Sequence, residues 1–131
     1  MDLNGISFFS LASQRLTWLG ESQRVVSENI ANADTPGFRA RTTSDFSEMV
    51  SGTRSAGLSV TDPQHIQGTN ATGPVRTIED PDAWTTTLDG NSVILEQQAI
   101  RASELSGSYQ LAATLYRKGH EFLRLTASGS R

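Results

Sequence analysis

Residue types that catalyse reactions or bind metals are sparse in this 131-residue chain. Its two histidines, His65 and His120, lie far apart, and it has no cysteine. This arrangement matches no zinc-ligand spacing, and a chain without cysteine has neither disulfides nor a thiolate nucleophile. For His120, which follows a long apolar pattern, packing near a helix end is the favoured interpretation. We therefore expect no metal site and no cofactor.

The densest acidic cluster contains Glu79, Asp80 and Asp82. Neighbouring carboxylates can perform acid–base catalysis or bind calcium. Here Pro81 separates them, and no glycine stands where a calcium-binding loop needs one, so we expect a solvated acidic loop. The serines lack a nucleophile-elbow pattern, and neither a phosphate-binding loop nor a dinucleotide fingerprint is present. The sequence thus predicts no catalytic residues and a protein that is not an enzyme.

Composition excludes further classes. Hydrophobic residues make up 36% and charged residues 19%, with a net charge of −3. No apolar run approaches the roughly 18 residues of a membrane-spanning helix, and an acidic chain without basic runs argues against nucleic acid as a partner. The first positive residue is Arg15, and Ser7 and Ser10 interrupt the early apolar patch, so we expect no secretory signal peptide.

The first third of the chain carries a helical pattern. Apolar residues alternate at spacings of three and four, which predicts a helix from about residue 6 to residue 33, with Gln23 as a polar interruption. Pro36 prevents the helix from continuing, and Pro36-Gly37 suits a turn in which Gly37 has a positive φ. We expect Trp18 to pack against a partner helix.

The last third has a similar heptad pattern, in which Gln98 and Gly119 occupy two positions that are otherwise apolar. Asn91 is the best candidate to cap the start of this helix. A second apolar stripe runs beside the first: Leu111, Leu115, Phe122 and Leu125. So wide an apolar band usually contacts more than one neighbour.

Between the helices the chain is polar and rich in turn-forming residues. Residues 1–41 have no net charge, whereas residues 42–92 carry −5 and residues 93–131 carry +2. Short strands are expected at Leu58–Thr61 and Val75–Ile78, and a short amphipathic helix at Ser44–Val50. Trp84 lies in this region, where it either anchors the segment to a neighbouring subunit or covers a small local cluster.

These patterns predict a mainly α fold. Long N- and C-terminal helices pair as an antiparallel coiled-coil hairpin, and the middle is loop-rich with at most short strands. The expected segments are residues 1–35, 36–92 and 93–131. Because a two-helix hairpin cannot cover both faces of the second helix, the remaining apolar surface should meet other chains and become fully ordered on assembly. Residues expected to pack between subunits are Phe9, Leu16, Leu19, Val26, Ile30, Leu105, Tyr109, Leu115, Tyr116 and Leu123. A soluble helical-hairpin adaptor that forms a homodimer is the alternative from another class.

Residues Asn29–Phe38 read Asn-Ile-Ala-Asn-Ala-Asp-Thr-Pro-Gly-Phe. This stretch resembles the signature of the flagellar axial proteins, which build the rod and hook. Leu58–Ile66 and Leu88–Glu96 are similar to the corresponding stretches of proximal rod proteins in that family. The positions that match the family motif are Asn29, Ala31, Asn32, Thr35, Pro36, Gly37 and Phe38.

The resemblance implies a structural subunit. Such subunits form a helical tube whose inner layer is a coiled coil of both terminal helices, here segments 1–35 and 93–131, and the tube transmits torque and lines the export channel. The implied partners are other copies of the chain, neighbouring rod proteins, the adaptor FliE, the MS ring and the export gate. The implied location is the periplasmic rod of the basal body, reached through the flagellar type III apparatus without a cleaved signal. Another proximal rod protein such as FlgC is the alternative within the family.

Overall fold

The computed structural model describes residues 3–55 and 75–129, and it is mainly helical. The element order is α1 (Leu3–Ala31), β1 (Arg41–Thr43), α2 (Phe46–Ser55), β2 (Thr77–Glu79) and α3 (Leu95–Ser128). The mainly α prediction, with two long terminal helices and at most short strands, is confirmed. The predicted strand at Leu58–Thr61, the similar stretch Leu58–Ile66 and His65 lie outside the described residues.

The two long helices run antiparallel along each other. α1 has 29 residues and α3 has 34, which correspond to roughly 43 Å and 51 Å at about 1.5 Å per residue. Asn29 near the end of α1 contacts Gln98 near the start of α3. At the opposite end, Phe9 of α1 packs on Tyr116 of α3. The sequence therefore predicted the pairing of the helices and its direction.

A small two-stranded sheet lies beside the end of α1. β1 and β2 pair antiparallel, with Arg41 opposite Glu79 and Thr43 opposite Thr77. The expected strand at Val75–Ile78 overlaps β2 but begins two residues early, and β1 was not predicted. α2 corresponds to the short helix expected at Ser44–Val50 and extends further, to Ser55.

Both helix ends at the turn differ from the sequence prediction. α1 ends at Ala31, two residues before the expected end, because Ala33 N–H and Thr35 N–H donate to carbonyls three residues back and tighten the chain into turns. The expectation that Asn91 caps α3 is wrong. Ile94 occupies the N-cap position of α3 in an extended conformation, without a side-chain cap.

The core lies near the turn and contains polar as well as apolar side chains. Leu19 and Val25 of α1 are almost fully buried, and three other apolar residues are also buried: Val26, Ala40 and Met49. The buried polar residues are Ser22, Asn29, Ser44, Asp80, Asn91, Ser92 and Gln98. Since a buried polar group is costly unless it is hydrogen-bonded, these residues show where the chain segments are joined.

Candidate functional site: the turn after α1 and the apolar faces of the long helices

Asn29, the first residue of the family motif, joins three chain segments. Its side chain both donates to and accepts from the backbone of Arg41 in β1. Nδ2 donates to Arg41 O at 2.7 Å, and Oδ1 accepts from Arg41 N at 2.9 Å. Nδ2 also donates to Gln98 Oε1 of α3 at 3.0 Å. Asn29 is fully buried, and a carboxamide can supply two donors and an acceptor in this way. It therefore fixes the direction in which the chain leaves α1.

Asn32 and Asn91 together satisfy the carbonyl groups at the end of α1. Asn32 Nδ2 donates to Glu28 O at 2.8 Å. Asn91 Nδ2 donates to Asn32 O and Thr35 O, both at 2.8 Å. Each of these carbonyls also accepts a backbone N–H, so the two amides add a second bond to the carbonyls at and just after the end of α1. The residue expected to cap the start of α3 instead caps the end of α1.

Two glycines allow the motif turn to approach the loop before α3. Gly37 has φ 73° and Gly90 has φ 85°, a region that side chains disfavour. Gly37 N–H donates to Asp89 O at 2.9 Å, and a Cβ at position 90 would lie 3.4 Å from Gly37 Cα. The positive φ expected for Gly37 is confirmed, and Gly90 provides a second glycine on the facing segment.

Phe38 and Ser92 continue this connection toward the sheet. Ser92 N–H donates to Phe38 O at 3.0 Å, and Ala40 N–H donates to Ser92 Oγ at 2.8 Å. Phe38 is half-buried beside the turn, whereas Ala31 and Pro36 are exposed. The motif region is thus bonded to the segment before α3 at several backbone groups.

Asp80 contradicts the expectation of a solvated acidic loop. Its side chain is fully buried and forms an ion pair with Arg101 of α3, whose Nη2 lies 3.3 Å from Asp80 Oδ1. Asp82 is exposed and lies 3.7 Å from the same guanidinium group. A carboxylate is rarely buried unless it is paired, and Arg101, near the start of α3, supplies the pairing charge. The pair attaches the end of β2 to α3.

Trp18 attaches α2 to α1. Its Nε1 donates to Ser44 O at 2.7 Å, and its ring packs edge-on against Phe46. The Arg15 guanidinium lies over both rings, 4.7 Å from the centre of Trp18 and 4.9 Å from that of Phe46. The aromatic contact is with α2 of the same chain, whereas Trp84 is 76% exposed.

At the other end of the hairpin, aromatic residues join the two long helices. The ring of Phe9 lies 5.6 Å from Tyr116 and 4.4 Å from His120. Gly119 makes room for this packing, because a Cβ there would lie 3.0 Å from Phe9 Cε1 and 2.9 Å from Phe8 Cε1. His120 therefore takes part in packing between helices.

The ten residues expected to pack between subunits fall into two groups. Leu19 and Val26 are buried within the single chain, and four others are half-buried: Phe9, Leu16, Leu105 and Tyr116. The remaining four are between 40% and 51% exposed: Ile30, Tyr109, Leu115 and Leu123. The second stripe is also uncovered, with Leu111, Phe122 and Leu125 each more than 60% exposed.

Hydrogen bonds lower the pKa of three carboxyl groups. Hydrogen bonds from Arg24 lower the pKa of Glu21, and the hydrogen bond from Lys118 lowers the pKa of Glu121. The Thr87 hydroxyl, followed by the Asn91 backbone N–H, lowers the pKa of Asp89. No group of three potential metal ligands occurs among residues 3–55 and 75–129.

An open groove of about 300 Å³ lies between α1, β1 and α3. Charges of both signs line it: Arg15, Arg41 and Arg101 are cationic, and Asp45 and Glu104 are anionic. The groove therefore has no single-sign field that would select a charged ligand.

Sequence reasoning missed three residues that join the segments: Asn91 in its actual role, Arg101 and Gln98. A signal existed only for Gln98, because a polar residue at an apolar heptad position indicates a polar partner. The pairing of Asp80 with Arg101 depends on the path of a loop, which no local pattern reveals.

The uncovered apolar faces and the firmly bonded turn are typical of one class of protein, the subunit of a larger assembly. None of the described helices combines the length and hydrophobicity of a membrane span. Residues 19–39, which include the motif turn, match the family model described as "Flagella basal body rod protein".

Curated relatives extend this match along the chain. The chain is 32% identical over 124 residues to "Flagellar basal body rod protein FlgB" of Agrobacterium fabrum, covering 92% of each protein. It is 32% identical to the FlgB of Salmonella typhimurium over 114 residues, 78% of this chain and 79% of the relative. Against the Escherichia coli FlgB it is 30% identical over 106 residues, 76% and 77% of the two chains.

The chain belongs to the FlgB family of flagellar basal body rod proteins. It is a structural protein of the flagellar basal body rod, and this identification is favoured over the FlgC alternative.

Proposed function

We propose that this chain assembles with other copies and with neighbouring rod proteins into a helical tube that transmits torque and lines the export channel. One observation carries the proposal: a row of large apolar side chains on α3 is uncovered in the single chain, with Leu111, Leu115 and Phe122 each more than half exposed. Apolar surface is stabilised by about 25 cal/mol for each Å² removed from water. A monomer that leaves this much uncovered is stabilised by neighbours.

The proposed roles follow the three segments. Residues 1–35 and 93–131 supply the helices of the inner layer, and residues 36–92 form the polar segment between them. The predicted packing residues with the most surface for a neighbour are Ile30, Tyr109, Leu115 and Leu123. The motif from Asn29 to Phe38 orients the middle segment relative to the helices, because its hydrogen bonds reach β1 and the start of α3. A tube that carries torque requires such a fixed junction.

The proposed location is the periplasmic part of the rod. We infer that the chain crosses the inner membrane through the flagellar type III apparatus without a cleaved signal and meets the adaptor FliE, the MS ring and the export gate. The absence of cysteine from the whole sequence suits a chain that travels unfolded and assembles without redox chemistry.

A pair of substitutions tests this proposal. Leu115→Asp places a charge on the uncovered stripe, whereas Ser106→Asp places the same charge on an exposed position of another face of α3. In cells without their own copy of the gene, we expect Leu115→Asp to abolish incorporation into basal bodies and swimming while expression continues. Ser106→Asp should leave both intact. Normal incorporation of Leu115→Asp would contradict the proposed packing role of this stripe.

A further inference from the structure

The apolar seam of α3 is interrupted at two positions, Gln98 and Gly119, which lie three heptads apart. Both face α1: Gln98 bonds Asn29, and Gly119 lies against Phe8 and Phe9. Because the helices are antiparallel, the first contact is at the turn and the second is at the opposite end of the hairpin. A seam of uniform apolar residues would permit the helices to slide by a turn.

We propose that Gln98 and Gly119 are specificity-determining residues that fix the register of α1 against α3. Gln98 acts by polar pairing, and Gly119 acts by shape. A slip of one helical turn, about 5.4 Å, would separate Gln98 from Asn29 and move Phe9 away from the space above Gly119. Only one alignment satisfies both contacts.

The hydrogen bond between Asn29 and Gln98 is suited to selecting one register rather than to adding stability. Gln98 and Asn29 are both fully buried, and Asn29 Nδ2 donates to Gln98 Oε1 at 3.0 Å. Gln98 Nε2 is also buried and has no hydrogen-bond partner within the described part of the chain. Burying an amide donor without an acceptor opposes folding, so this glutamine contributes little net stability. A buried polar residue at a seam position is a well-attested way to select one alignment.

The steric contact is equally specific. A methyl group at position 119 would lie between 2.9 and 3.1 Å from ring atoms of Phe8 and Phe9, closer than ordinary contact. A methyl group at Gly107, on the same helix, would have no neighbouring atom within 4 Å. α3 therefore contains one glycine that lies close to α1, Gly119, and one in open space, Gly107, that serves as its control.

The register of α1 against α3 also sets the relative positions of the exposed residues on the two helices. Ile30 of α1 and Tyr109 of α3 would move relative to each other by a full turn in a slipped hairpin. A neighbouring chain that contacts both helices would then meet a different surface. Fixing the register is thus a requirement for a hairpin that presents one surface to its neighbours.

Spin-label distances on the purified chain test the proposal. The sequence contains no cysteine, so nitroxide labels attach only at introduced residues, such as Ser27→Cys on α1 with Ser103→Cys on α3, both at exposed positions. We expect one narrow distance distribution in the parent chain. The double variant Gln98→Met with Gly119→Ala should add a second distance, displaced by about one turn, or roughly 5.4 Å along the helix axis. A single unchanged distance in this double variant would overturn the proposal.

Three further variants separate specificity from general stability. The matched control combines Gln110→Met with Gly107→Ala and should retain the single distance. Gln98→Glu keeps an oxygen acceptor for Asn29, and at an acidic pH that leaves this carboxyl group neutral we expect it to keep the parent distance. Gln98→Met should broaden the distribution without lowering the midpoint of thermal unfolding. A Gln98→Met chain that loses stability while keeping one distance would also overturn the proposal, since that result means a merely structural role.

Discussion

Buried polar side chains decide how the segments of this protein are joined. Asn29, Asn91 and Asp80 each connect parts of the chain that are distant in sequence. The sequence identified Asn29 and Asn32 as motif residues, and in the structure the Asn32 amide donates to a carbonyl in the last turn of α1. It misplaced Asn91 and Asp80, because a capping or acidic residue type does not reveal its partner when that partner is about 60 or 20 residues away.

Replacing Asn91 tests the capping of α1 from a distance. Asn91→Ala removes two donated bonds and the one that Asn91 Oδ1 accepts from Val93 N–H. We expect the free energy of unfolding to fall by about 2–3 kcal/mol, because three hydrogen bonds of a buried side chain are lost and each contributes about 1 kcal/mol. Urea denaturation followed by circular dichroism measures this. Gln110→Ala, at an exposed position on α3, should change it by less than about 0.5 kcal/mol.

The Asp80–Arg101 pair gives a second expectation. Arg101→Met leaves a carboxylate buried without its counter-charge, so we expect a loss of about 3 kcal/mol in unfolding free energy. The comparison variant is Lys118→Met, since Lys118 pairs with Glu121 at an exposed site where ion pairs contribute less than about 1 kcal/mol. Equal effects of the two variants would contradict the role assigned to the buried pair.

We expect the loop that contains Asp89 and contacts Gly37 to become less stable at acidic pH. The pKa of Asp89 is lowered in the folded chain, mainly by the Thr87 hydroxyl. Its stabilising contribution is therefore present above the unfolded pKa of about 3.9 and is lost as the pH falls through the lower folded value. The Gly37 amide signal, followed by NMR, should shift in this acidic range. Asp89→Asn should abolish that part of the titration, and a persistent shift would assign it to another group.

At the scale of elements, heptad spacing was sufficient to predict α1, α3 and their pairing, because long amphipathic helices repeat their signal many times. β1 has three residues, Arg41–Thr43, and no repeated pattern. β1 forms because the side chain of Asn29 and the backbone of β2 hydrogen-bond to its backbone. Both partners lie outside the strand's own sequence, so no local pattern predicts it. The same reason explains why Trp18, expected to pack on a partner helix, instead contacts α2 of its own chain.

The two tryptophans offer a matched test of this contact. Trp18→Phe keeps an aromatic ring but removes the bond from Nε1 to the buried Ser44 carbonyl. We expect a cost of about 1–2 kcal/mol in unfolding free energy. Trp84→Phe, at a position that is 76% exposed, should have almost no effect. A similar cost for both would mean that Trp84 also packs in the folded chain.

At the scale of the whole molecule, the stable part of the isolated chain should be the end near the turn. Leu19, Val25 and Val26 are buried there, whereas the described α3 residues from position 121 onward are exposed. We therefore expect amides of residues 19–31 to exchange with deuterium more slowly than those of residues 121–128. Equal strong protection of both in a monomer would contradict ordering on assembly.

The proposed assembly would cover the apolar residues that this chain, with only 36% hydrophobic residues, leaves exposed. The helices and the motif were predictable because their signals are local, but the face that meets each neighbour is a property of the assembled rod. The most direct test is the protein composition of purified basal bodies, together with a map that resolves individual subunits. We expect this chain to be present in the rod, with its α3 stripe covered by neighbouring helices. Absence of the chain from intact basal bodies, or a rod in which that stripe faces solvent, would contradict it.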